Sequence, residues 1–111
     1  MLALNYPRSR FEIIVIDNNS TDATSQVVAD FPTVKYFLER QQGLSFARNR
    51  GSREARGCFI AYLDDEVPCL VDWLENAALI VRDVAPDVFW GPLSPLVPGG
   101  QTRLVQGLLS I

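Results

Sequence analysis

The sequence predicts an α/β fold built on a mainly parallel sheet. Short β-rich runs alternate with stretches of helical periodicity along the chain. Two of the predicted strands run straight into acids, Ile16 into Asp17 and Leu63 into Asp64. In open α/β sheets ligands bind beyond the carboxyl ends of the strands. Both acids are therefore expected on the ligand edge of one sheet.

Each element has its own signal. Residues 11–16, Phe-Glu-Ile-Ile-Val-Ile, form a β-rich run closed by the turn cluster Asp17-Asn18-Asn19-Ser20. Ala23, Val27, Val28 and Phe31 share one helical face, and Pro32 stops that helix. Thr21 and Asp22 are placed to cap it. Val34–Leu38 is the second strand. Leu44, Ala47, Gly51 and Ala55 then repeat at helical spacing, small enough to let a helix lie close on a sheet, and Gly57 ends it. Cys58–Leu63 is the third strand. Leu70, Trp73, Leu74, Ala77, Val81 and Val84 make the apolar stripe of a helix closed by Pro86. Val88–Trp90 is a last strand before prolines and glycines break the pattern. Leu104, Val105, Leu108 and Leu109 fit a short amphipathic helix facing the core.

Composition narrows the function. At 111 residues one domain is expected, and 48% hydrophobic content is enough for a modest core. There is no histidine, which removes His-based acid–base chemistry, Ser-His-Asp triads and ordinary zinc sites. The net charge of −3 argues against a nucleic-acid partner. Every one of the 10 basic residues except Lys35 is arginine, the side chain suited to bidentate phosphate contacts. A phosphoacceptor receiver domain needs a lysine late in the fold, and Lys35 comes too early. Cys58 and Cys69 have no metal or redox spacing and are expected as buried free thiols.

The strand at Cys58–Leu63 ends in Asp64-Asp65-Glu66. Three adjacent acids repel unless something positive sits among them. Carboxylate oxygens are the ligands Mg²⁺ or Mn²⁺ prefers, and Mg²⁺ usually takes one or two of them plus substrate phosphates. The other reading is a solvated turn whose acids favour the start of the next helix.

These segments together resemble family 2 glycosyltransferases, which have the GT-A fold. Ile13-Ile14-Val15-Ile16-Asp17-Asn18-Asn19-Ser20-Thr21-Asp22-Ala23-Thr24 looks like the family's second-strand motif. Gly43-Leu44-Ser45-Phe46-Ala47-Arg48-Asn49-Arg50-Gly51, with Ala55 and Gly57, looks like its arginine-bearing helix. Leu63-Asp64-Asp65-Glu66 stands where the family carries its Asp-x-Asp motif, with Glu66 where Asp is more usual. Asp72-Trp73-Leu74 and Phe89-Trp90-Gly91-Pro92 also match in order. The implied fold class is a Rossmann-like GT-A nucleotide-binding half.

The resemblance implies roles. Asp17 would accept a hydrogen bond from the base of a nucleotide-sugar, usually uridine, and its alternative is a turn-forming residue. Asn19 and Arg48 would complete the nucleotide site with Asp64. Asp64 and Glu66 would hold a divalent Mg or Mn ion on the diphosphate. Arg50, Arg53 and Arg56 are read as a solvated face. Sugar would pass, with inversion, to a saccharide or lipid-linked acceptor, helped by a carboxylate base. The resemblance places such a protein in the cytoplasm, at the cytoplasmic face of the membrane.

Two elements of the family pattern are not found. Residues 88–111 contain no Asp or Glu to serve as base. Before residues 11–16 only Met1–Tyr6 matches, as the tail of a helix, so the family's first strand is missing. That strand would lie between those at 11–16 and 58–63, and its loss would leave two sheet edges unpaired and open to dimerisation. Residues 1–111 thus read as one partial domain truncated at both ends, with 1–98 resembling the family and 99–111 a tail. Such a chain is expected to be inactive alone. The alternative is a module that binds a nucleotide or nucleotide-sugar without catalysis.

Overall fold

The computed structural model describes residues 4–64, 72–88 and 106–110. Within them the chain forms β1 (Glu12–Asp17), α1 (Thr24–Ala29), β2 (Val34–Leu38), α2 (Leu44–Glu54), β3 (Ile60–Asp64), α3 (Trp73–Val84) and β4 (Gln106–Ser110). The four strands make one sheet in the order β2-β1-β4-β3. β1 and β2 pair in parallel, Ile13 opposite Val34 and Asp17 opposite Leu38. β4 pairs antiparallel with both β1 and β3, so β1, β2 and β3 all run the same way. The expected α/β class is observed, with β1 and β2 as a parallel pair; the sheet as a whole is mixed, because β4 inserts antiparallel between β1 and β3.

Alternation along β1 feeds two core layers. On one face Ile13 packs with Leu4, Leu63 and Leu74, so the N-terminal segment and α3 cover it. On the other face Ile14 and Ile16 pack with Ala47 of α2, flanked by Phe37 and Ala55. Ala47 and Gly51 are the buried positions of α2, as their spacing predicts. Leu74 and Ala77 anchor α3, while Val84 at its end is exposed. Leu70 of the predicted stripe lies outside the described residues.

The expected tail helix at Leu104–Leu109 is corrected: Gln106–Ser110 is a strand. A short apolar run cannot be told from a buried strand by periodicity alone. The pairing decides it, because β4 has a ladder on each side. β4 occupies the gap expected between β1 and β3, so neither inner edge is open. That removes the basis for dimerisation through those edges. The third strand starts at Ile60 rather than Cys58, leaving Cys58 in a turn as an exposed free thiol and not a buried one. Cys69 lies outside the described residues. So does the predicted strand at Val88–Trp90, apart from Val88, which is exposed and not in a strand.

α1 is shorter than its pattern. It ends at Ala29, and the turn Asp30–Phe31 closes it two residues before Pro32. None of its residues is buried, and Val27 and Phe31 remain substantially exposed. It touches both β1 and β2 yet seats no side chain deeply against either. The cap position is Ala23, which has no side-chain cap, rather than Thr21 or Asp22; Asp22, one residue earlier, accepts from the Thr24 N–H at 3.0 Å and from the Thr24 hydroxyl.

Candidate functional site

The register sets the geometry of the acid ends. Gln106 of β4 is opposite Ile16 of β1 on one side and Asp64 of β3 on the other. Asp17 and Asp64 thus end parallel strands on the same edge, separated by one intervening strand. Two strand spacings put their backbones about 10 Å apart. Both acids lie on one edge of the sheet, as parallel strands require.

Asp17 is the best-defined group there. It is a buried charged residue, 5% exposed. Its Oδ1 accepts the Ser20 N–H at 2.7 Å and its Oδ2 accepts the Tyr36 hydroxyl at 2.5 Å. Burial pushes its carboxyl up, but the Tyr36 and Ser20 donors outweigh that and hold it below the ordinary value. The same contact raises the Tyr36 phenol to about 12, through the hydrogen bond first and then burial and the Asp17 charge. Asp17 therefore shapes the turn, the alternative weighed above, while staying ionised near neutrality.

The next residue organises the edge. Asn18 Nδ2 donates to the carbonyls of Glu39 at 3.2 Å and Gln41 at 2.6 Å, and its Oδ1 accepts the Gly43 N–H at 2.7 Å. The Glu39 N–H donates to the Asp17 carbonyl at 2.8 Å. One side chain thus ties the loop after β1 to the loop that opens α2. Gly43, at φ 136°, starts that helix in a conformation L side chains rarely adopt, and a Cβ there would meet Phe46 at 3.2 Å. Asn19, predicted for the nucleotide, is exposed and left-handed at φ 61°. Asn tolerates that region better than most residues.

Arg48 lies one turn into α2, exposed, with its guanidinium 5.7 Å from the Tyr62 ring centroid. Tyr62 in turn shares a 2.6 Å hydrogen bond with the Ser52 hydroxyl. Strand parity separates these groups from Asp17. Asp17 alternates with Ile13 on the face that α3 covers, and Arg48 stacks on the face that α2 covers. Arg48 thus joins the β3 side of the edge and not Asp17. Arg50 departs from the solvated face assigned to it: it is half-buried, 5.5 Å from the Phe37 ring centroid, with Nε 2.9 Å from Glu54 Oε1. Arg53 and Arg56 are exposed as expected.

For a divalent cation, the donor chemistry of Asp64 with Asp65 and Glu66 fits, since hard carboxylate oxygens suit Mg²⁺ and Mn²⁺. Asp65 and Glu66 lie outside the described residues. Among the described residues no group of three or more His, Cys, Asp or Glu gathers where a metal could sit. A shallow pocket of about 210 Å³, lined by Val28, Phe31, Val34 and Tyr36 among others, opens between α1 and the start of β2. It contains none of the predicted site residues.

Sequence reasoning missed Asn18 and Tyr36. The Asn18-Asn19 pair signalled a turn but not which asparagine would be the clamp. Tyr36 matters only through strand register, which no local pattern reveals.

Comparison with known proteins identifies the family. The sequence profile of the family described as Glycosyl transferase family 2 matches residues 2–94. Glycosyltransferase AglE of Haloferax volcanii is 32% identical over 102 residues, covering 87% of this chain and 34% of AglE. A Campylobacter jejuni protein, GalNAc(5)-diNAcBac-PP-undecaprenol beta-1,3-glucosyltransferase, is 43% identical over 61 residues, covering 50% of this chain and 20% of its own. The chain therefore spans about a third or less of the length of these relatives. No solved structure matches it. With an α/β sheet that brings two strand-end acids to one edge, and a family profile matched over most of its length, the chain belongs to glycosyl transferase family 2.

Proposed function

We propose that this chain is the donor-binding portion of a glycosyltransferase that moves a sugar from a nucleoside diphosphate, UDP-linked, to an acceptor hydroxyl with inversion. The observation that carries the reading is the pair Asp17 and Asp64 at parallel strand ends on one edge. Asp17, ionised and desolvated, would accept an N–H of the base. Asp64, one strand further on, would lie at the diphosphate with Glu66. Arg48, on the Asp64 side, would face the phosphates, and Asn19 would line the turn between them. Asp64 and Glu66 would hold Mg²⁺ or Mn²⁺, which when bound offsets negative charge on the diphosphate. The Campylobacter relative's name describes glucosyl transfer onto an undecaprenol-linked saccharide. That supports a saccharide or lipid-linked acceptor; work at the cytoplasmic membrane face is part of the same proposal. No helix among the described residues is long and apolar enough to cross a membrane.

A second reading has its own observation. No Asp or Glu follows Asp87, so residues 88–111 supply no carboxylate base. These 111 residues alone would then bind the donor without turning it over. Calorimetric titration with UDP, with and without Mn²⁺, tests both readings. Binding that Mn²⁺ strengthens, and that Asp64→Ala deprives of that metal effect, is the expected result. Absence of UDP binding by the folded chain contradicts both. Transfer of sugar by the chain itself contradicts the second alone.

A further inference from the structure

The contact between Tyr36 and Asp17 reaches beyond these roles. Tyr36 sits in the middle of β2 and its hydroxyl crosses to a carboxylate at the end of β1. An ionised carboxylate is acceptor-only, with about four lone-pair directions. Ser20 fills one on Oδ1 and Tyr36 one on Oδ2. With a donor fixed on each oxygen, rotation of the carboxylate would break a bond, so the remaining lone pairs are held in place. We propose that Tyr36 is a positioning residue that sets the Asp17 carboxylate to read a nucleobase N–H, and so shares in the choice of uracil over cytosine. The inference rests on the proposed role of Asp17.

The chemistry distinguishes the two bases. Uracil carries N3–H, a donor that a carboxylate can accept. Cytosine presents a bare N3, an acceptor, to the same place. At a site only 5% exposed, two facing acceptors are poorly relieved by water. The penalty on the wrong base depends on how firmly the carboxylate is held. Phenylalanine at position 36 keeps the ring and removes the donor, so it separates orientation from packing.

The experiment is calorimetric titration of the wild-type chain, Tyr36→Phe and Asp17→Asn with UDP and with CDP across pH, with melting temperatures measured alongside. Tyr36→Phe is expected to weaken UDP binding by roughly three- to tenfold, the range a single net hydrogen bond commands, and to narrow the preference for UDP over CDP. Losing the Tyr36 donor also lets the Asp17 carboxyl rise. Binding needs its ionised form, so affinity in the variant falls away at a higher pH on the acid side than in wild type. A merely structural role would move the melting temperature without moving base preference or the acid limb. Wild-type affinity, preference and acid limb in Tyr36→Phe overturn the inference. If Asp17→Asn also leaves UDP binding and base preference unchanged, or the wild-type chain binds no UDP, the reading of Asp17 itself fails. If Asp17→Asn abolishes the preference while Tyr36→Phe keeps it, only the role of Tyr36 fails.

Discussion

β1 and β2 are parallel neighbours joined by one helix, yet their surroundings differ sharply. β1 has a strand on each side and cover on both faces, and Ile13, Ile14 and Ile16 are essentially sealed from water. β2 is an outer strand, with no fully buried residue and Leu38 exposed at its end. The helices differ as well: α2 seats Ala47 against β1, whereas the short α1, which touches both β1 and β2, has no buried residue. Stability is thus concentrated on the strand that ends in Asp17. The outer strand contributes less apolar burial but supplies the hydroxyl that holds Asp17.

Truncating the inner strand should show the largest effect. Ile14→Ala removes a fully buried side chain packed beneath Ala47 and is expected to cost about 2–5 kcal/mol in chemical denaturation. A loss under about 1 kcal/mol would mean that the α2 layer is loosely packed. Next comes the clamp between the two loops. Asn18→Ala strips three hydrogen bonds from residues 39–43, some of which water can replace, for an expected cost of about 1–2 kcal/mol. Its signature is faster hydrogen exchange at Gly43, because that N–H loses its acceptor. Unchanged exchange there would remove Asn18 as the link between the strand end and α2. The smallest effect belongs to α1. Val27→Ala alters an exposed position, 55% accessible, and should stay within about 0.5 kcal/mol. A larger loss would show that α1 is seated more deeply than the described packing.

The same contrast explains what could be read in advance. β1 announced itself through four adjacent β-branched residues and a turn cluster, and α2 through small residues at helical spacing. Both signals are local, and both elements stand where predicted. The placement of Asp17 and Asp64 on one edge followed from parallel topology and required no register. The failures all depended on long-range pairing. Gln106–Ser110 is a strand because β1 and β3 flank it, and a few leucines look the same in either state. Val27 and Phe31 share a helical face, yet the helix is only six residues long, and both side chains stay exposed beside it. Arg50 looked like one more charge on a basic helix, yet its position over Phe37 half-buries it. Asn18 outweighs Asn19 as a clamp only because the 39–43 loop returns beside it.

The most direct test of the central claim is amide chemical-shift mapping of the labelled chain during titration with UDP and Mg²⁺. The account predicts that perturbations gather at residues 17–20, around Gly43 and at Asp64, and leave Val28, Phe31 and Val34 beside the α1 pocket unmoved. Perturbations centred on that pocket, with the strand ends silent, would contradict it.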